Sequence, residues 1–141
     1  HIVCQDIFQV DADDVPNCDI VIGGFPCQGF SVANTKRNVA DERNQLYKQL
    51  MRIVQIKTPK FFLAENVKGI MSLGKGEVLK MIVRDFTNLG YKVQARLLNA
   101  ANYGVPQLRQ RVFIVGVRND IDFNFSFDRS HCPILIPSDA C

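Results

Sequence analysis

Short, wholly apolar runs alternate with longer segments of helical period along this chain, and that alternation constrains its fold more than any other feature. Asp19-Ile20-Val21-Ile22-Gly23-Gly24 carries no polar alternation and meets a Gly-Gly turn, which predicts a fully buried strand over 19–24. Residues 42–57 set Leu46, Leu50, Ile53 and Val54 on one helical face, and Thr58-Pro59 ends that helix because proline disfavours helical geometry in the residue before it. Lys60-Phe61-Phe62-Leu63-Ala64 predicts a second buried strand ending at Glu65-Asn66. Residues 77–89 predict a second helix, striped by Leu79, Ile82, Val83, Phe86 and Leu89, with Gly90 as the residue after its end. Residues 91–98 and 111–117 have strand character, and 99–110 between them, holding Gly104-Val105-Pro106, reads as a loop. Strand, helix, strand, helix, strand, loop, strand is an α/β layout, expected on a mostly parallel sheet. The tail from Asn119 departs from it: Phe123, Phe125 and Phe127 alternate with polar residues, as in an edge strand or a lead-in to another domain.

A chain of 141 residues with 47% apolar and 22% charged residues is ordinary globular material, sufficient for one domain with a core of its own. This excludes a disordered, collagenous or coiled-coil chain. No apolar run approaches the ~20 residues of a membrane span, and no signal-peptide pattern opens the chain, so a soluble, cytoplasmic protein is expected. The net charge of +3 permits a polyanionic partner without demanding one. The cysteines, Cys4, Cys18, Cys27, Cys132 and Cys141, are odd in number and form no CxxC pair, and the only histidines are His1 and His131. That pattern favours neither a zinc site nor a disulfide framework, and it fits a reducing compartment. Because His1 rather than Met opens the chain, the natural start is expected upstream.

Open parallel sheets place their sites at the carboxyl ends of strands. Two segments meet that condition: Gly23-Gly24-Phe25-Pro26-Cys27-Gln28 and Glu65-Asn66-Val67. Cys27 stands in a glycine-flanked Pro-Cys loop, a poor place for core packing, and is the candidate nucleophile. The other four cysteines read as small buried hydrophobes. A Cys-His pair is disfavoured, since His1 is terminal and His131 lies in the irregular tail. Glu65 is either a helix cap, together with Asn66, or a functional acid. In Gln107-Leu108-Arg109-Gln110-Arg111, alternate residues of an extended segment share a side. Gln107, Arg109 and Arg111 would then point together, and a solvated charged edge strand is the competing reading.

Together, GGFPCQGFS at 23–31, ENV at 65–67 and QLRQR at 107–111 resemble, in order and spacing, the DNA (cytosine-5)-methyltransferase family. The resemblance runs roughly from Asp6 to Asp120, and 98–106 is similar to the family's approach to its QxRxR element. It implies a Rossmann-like, S-adenosylmethionine-dependent methyltransferase core in which the Cys27 thiolate adds to C6 of cytosine and C5 then accepts the methyl group. It further implies that Glu65 holds a proton near N3, and that Arg111 grips O2 with Arg109 in a supporting or phosphate role. Gln28 and Ser31 are implied to contact the DNA backbone, and Asn66 to shape its turn. The target base must be rotated out of the duplex to reach them.

For the cofactor, S-adenosyl-L-methionine, the resemblance implies contacts from Asp6, Ile7, Phe25, Pro26 and Leu46. Gln5 stands where the family often has glycine, and Leu46 reads equally as a helix core residue. No metal is implied. The glycine-rich first cofactor motif and a target-recognition region are missing, so residues 1–120 are expected to be an incomplete catalytic core and 121–141 a tail or lead-in. The complete protein is expected to be active and the isolated segment not. Double-stranded DNA and a cognate restriction endonuclease are the implied partners, with no membrane. The competing assignments are a tRNA cytosine-C5 methyltransferase and a non-catalytic nucleic-acid-binding fragment.

Overall fold

A computed structural model describes residues 2–26 and 46–127. In chain order the elements are β1 (Ile20–Gly24), α1 (Leu46–Lys57), β2 (Phe61–Val67), α2 (Glu77–Asn88), β3 (Tyr91–Asn99) and β4 (Gln110–Arg118). Two short 3-10 turns, Lys68–Met71 and Leu73–Gly76, lead from β2 into α2, and a third, Ala100–Tyr103, follows β3. Residues 2–18 form turns without helix or strand. The helix expected over 42–57 is described from Leu46 onward, and 42–45 lie outside the described residues. It stops at Lys57 as anticipated. Thr58, at φ 42°, turns the chain into buried Pro59, and its carbonyl accepts from Arg118 Nη1. Among the described residues no helix is long and apolar enough to cross a membrane.

The α/β class holds, but the sheet is mixed rather than mostly parallel. Its order is β1-β2-β4-β3, with β1 and β2 parallel and β4 antiparallel to both its neighbours. A parallel return needs a crossover of about a dozen residues or more. The stretch 100–109 between β3 and β4 is too short for one, so β4 folds straight back along β3 and fills the gap beside β2.

Both helices cover one face. Phe62 stacks on Phe86 of α2 with ring centroids 4.2 Å apart, and Tyr91 meets Phe62 edge-on at 5.4 Å. The Phe62 ring lies over Gly116, its partner in the β2–β4 register, where a Cβ would stand 1.9 Å from Phe62 Cε1. Val54, Ile82, Val112 and Ile114 belong to the same core.

β1 is not the fully buried strand its composition predicts. Its Val21/Gly23 side meets α1, but Ile20 is 48% and Ile22 67% exposed, because no helix among the described residues lies over the opposite face. Residues 121–127 cover part of that face without forming an edge strand. Phe123 packs edge-on against Phe61 at 6.0 Å, while Gln94 and Arg96 of β3 donate to the carbonyls of Phe125 and Phe127.

Candidate active site

β2 runs past its apolar stretch because β4 pairs with it as far as Val67 opposite Arg111. Glu65 and Asn66 therefore lie inside the strand, not beyond it, and the period of two sends them to opposite faces. Glu65 shares its face with Phe113, directly opposite, and with Arg111 two residues earlier on β4. Arg111 Nε donates to Glu65 Oε1 at 2.8 Å, the two side chains being 25% and 38% exposed. Arg111 Nη1 also donates to the Gln110 carbonyl at 2.9 Å. On the other flank, Gly24 is the parallel partner of Glu65, and a Cβ there would come 3.6 Å from Glu65 Oε2. A carboxylate and a guanidinium thus stand together at the tip of β2, beside the exit of β1.

Asn66 faces the core and is only 2% exposed. Its Nδ2 donates to the Phe25 carbonyl at 2.8 Å, and its Oδ1 accepts from the Val67 N–H at 2.8 Å. A buried polar side chain must find such partners, and here they fasten the Phe25-Pro26 segment to β2. The next residue, Cys27, lies outside the described residues, as do Gln28 and Ser31.

The expected common side for Gln107, Arg109 and Arg111 requires an extended chain, which begins only at Gln110. Before it, Gln107 N–H donates to the Val105 carbonyl and Arg109 N–H to the Gln107 carbonyl, tight three-residue turns that bend the segment. Arg109 and Gln107 are exposed in this bend, and Arg111 alone joins the strand ladder beside Glu65.

Four of the five expected cofactor contacts do converge. Ile7, Phe25, Pro26 and Leu46 line a cavity of about 420 Å³, together with Val21, Leu50 and Ile53. Leu46 also packs against the core, so its two readings are compatible. The fifth, Asp6, is exposed and does not line the cavity, and its Oδ1 accepts from the Phe8 N–H at 3.0 Å. The size suits a small-molecule ligand, and the apolar walls flanking Pro26 suit the faces of a flat ring system.

Two residues of α1 shape this region without any signal in the hydrophobic spacing. Tyr47 packs its ring against Phe25 at 6.1 Å and donates its hydroxyl to Asp85 Oδ2 at 3.0 Å. Burial, reinforced by that carboxylate, pushes its pKa up to about 12. Arg52 donates to the carbonyls of Ile7 and Val10.

The profile of C-5 cytosine-specific DNA methylase matches residues 1–136. The chain belongs to that family. It is 59% identical over 114 residues to the Type II methyltransferase M.BspRI of Lysinibacillus sphaericus, covering 81% of this chain and 27% of that protein. It is 55% identical over 112 residues to M.BsuRI of Bacillus subtilis, covering 79% and 26%. Against M.NgoFVII of Neisseria gonorrhoeae the figures are 49% over 126 residues, 88% and 34%. The chain therefore spans about a quarter to a third of these relatives. Among solved structures, an E. coli prophage protein described as a DNA modification methyltransferase superimposes with a TM-score of 0.68 at 32% identity, over 86% of this chain and 35% of that one. Schizosaccharomyces pombe Dnmt2, at 22% identity and a TM-score of 0.61 over 87% and 38%, shares the fold.

Proposed function

We propose that the protein carrying this chain transfers a methyl group from S-adenosylmethionine to C5 of a cytosine rotated out of double-stranded DNA. The observation that carries this reading is the Glu65–Arg111 pair beside Gly24. N3 and O2 are neighbours on the edge of cytosine, as the carboxylate and the guanidinium are neighbours at the tip of β2. One edge of one base can therefore meet both groups.

Cytosine C5 is a weak nucleophile. The Cys27 thiolate forms a bond to C6, and the displaced ring electrons build up at C5 and toward N3 and O2. Glu65 holds a proton at N3, and Arg111 donates to O2, so both act where charge develops. The cofactor, when bound, supplies the electrophilic methyl group. Loss of the C5 proton to a base then restores the double bond and expels Cys27 as thiolate. Asn66 keeps Phe25-Pro26 in place and so sets the approach to Cys27. Arg109, Gln28 and Ser31 are assigned to the DNA backbone in this reading. Ile7, Phe25, Pro26 and Leu46 hold the cofactor's ring system in the apolar cavity, and Asp6 belongs with them through the turn it caps.

The relatives' description as Type II methyltransferases supports a modification role beside a cognate restriction endonuclease, in the cytoplasm with the DNA. The test is transfer of labelled methyl from S-adenosylmethionine to duplex DNA and to tRNA by the whole protein and its Cys27→Ser variant. Transfer to duplex DNA, lost in Cys27→Ser while DNA binding persists, is expected. Transfer to tRNA alone, or an unchanged rate in the variant, overturns the reading.

A further inference from the structure

We propose that Arg52 is a positioning residue for the cofactor: it fixes the spacing between the two walls of the cavity lined by Ile7 and Leu46. This rests on the reading of that cavity as the cofactor's.

One wall belongs to α1, which contributes Leu46, Leu50 and Ile53. The end of β1 with Phe25-Pro26 forms the floor, and the facing wall is Ile7 and Val15 from residues 2–18, which have no helix or strand to hold them. Their local order is two turns: in the first, Gln9 N–H donates to the Asp6 carbonyl at 2.9 Å and Phe8 N–H to Asp6 Oδ1; in the second, Asp14 N–H and Val15 N–H donate to the carbonyls of Asp11 and Ala12. Such a turn can persist while drifting as a unit. The second turn is held by buried Ala12 and by Lys57 Nζ, which donates to the Asp13 carbonyl at 3.2 Å, whereas the first, which carries Ile7, is held to α1 by Arg52. Its Nη2 donates to the Ile7 carbonyl at 3.1 Å and to the Val10 carbonyl at 2.8 Å, gripping the turn near both ends. The opposite end of the guanidinium is fastened to its own helix, Nε donating to Gln49 Oε1 at 2.8 Å. A planar fork with donors on two edges suits this double attachment, and a lysine ammonium reproduces only the half that faces the carbonyls. Ile7, whose carbonyl is gripped, also lines the cavity.

Without Arg52 the turn samples positions in which the cavity is too wide or too narrow. The apparent affinity of a ligand falls by the fraction of protein in the competent arrangement, so a turn correctly placed about a tenth of the time weakens binding about tenfold. Nothing in the chemical step touches Arg52, so the rate at saturating cofactor should hold.

The experiment compares the whole protein with Arg52→Gln and Arg52→Lys. S-adenosylhomocysteine binding is measured by calorimetry, KM for S-adenosylmethionine and kcat by methyl transfer, and amide hydrogen exchange by mass spectrometry. The expected result for Arg52→Gln is binding and KM weakened at least tenfold, with kcat within about twofold. Arg52→Lys should be intermediate, and faster exchange should be confined to peptides covering residues 5–15. Binding within twofold of wild type overturns the proposal, as does a fall in kcat at unchanged KM. Faster exchange throughout β2 and β4 overturns it too, since Arg52 would then be supporting the fold as a whole. If the unsubstituted protein fails to bind the probe while still transferring methyl groups, the assignment of the cavity falls, and the positioning role falls with it.

Discussion

Replacing Asn66 tests the link between the strand ladder and the Phe25-Pro26 segment. Asn66→Ala removes two hydrogen bonds, and their costs differ. The Phe25 carbonyl belongs to a residue only 7% exposed, so losing its donor leaves a buried acceptor unsatisfied, at about 1–3 kcal/mol. The Val67 N–H belongs to a residue 43% exposed and can turn to water, so its loss amounts to about 1 kcal/mol or less. The sum is about 1–4 kcal/mol, a sizeable share of a domain stability of roughly 5–15 kcal/mol. Asn66→Asp sharpens the test because it keeps the acceptor for Val67 and replaces the donor with an oxygen facing the Phe25 carbonyl. At neutral pH it should be at least as damaging as alanine. As the pH falls and the carboxyl takes up a proton it can donate again, and the gap should narrow. Urea unfolding followed by far-ultraviolet circular dichroism at pH 7 and pH 4 measures this, with methyl transfer as the functional readout. An aspartate variant within about 0.5 kcal/mol of wild type at pH 7 would refute the reasoning.

Gly116→Ala should be more disruptive than most surface or core changes, because its Cβ would stand 1.9 Å from Phe62 Cε1 in the centre of the sheet. A loss of about 3 kcal/mol or more is expected for such overpacking, and a variant unfolding within 0.5 kcal/mol of wild type in urea would contradict the packing described. Tyr47 makes the fold sensitive to alkali: with its folded pKa raised from 10 to about 12, its contribution is fully present below pH 10 and drains away as the pH rises toward 12. Tyr47→Phe should cost about 1 kcal/mol at neutral pH through the lost Asp85 bond. It should also flatten the fall in melting temperature between pH 10 and 12, and an unaltered slope would argue against the assignment.

Element order was readable because it depends on local features: apolar runs, the 3.6-residue stripe over α2, the Thr58-Pro59 stop and Gly90 at φ 91° after α2. Strand direction was not, since β4 is apolar whichever way it runs and only its neighbours fix its sense. The extension of β2 through Glu65 was hidden for the same reason, because its partner on β4 lies far along the sequence. Glu65 and Arg111 were visible as residue types in a motif, whereas their meeting depends on register. Arg109 was misplaced by assuming an extended chain that Pro106 and the following turns interrupt. Arg52 was silent: its partners are backbone carbonyls, which every residue possesses and no composition advertises.

The antiparallel course of β4 has a consequence for tolerance to change. The start of β4 abuts the end of β2, and the ladder between them, from Val67 opposite Arg111 to Phe61 opposite Val117, decides where the guanidinium comes to rest. The connection over 100–109 merely delivers the chain to that starting point. A change of length there shifts Arg109 but leaves Arg111 aimed at Glu65, because the address of that pair is kept in the weave of the sheet.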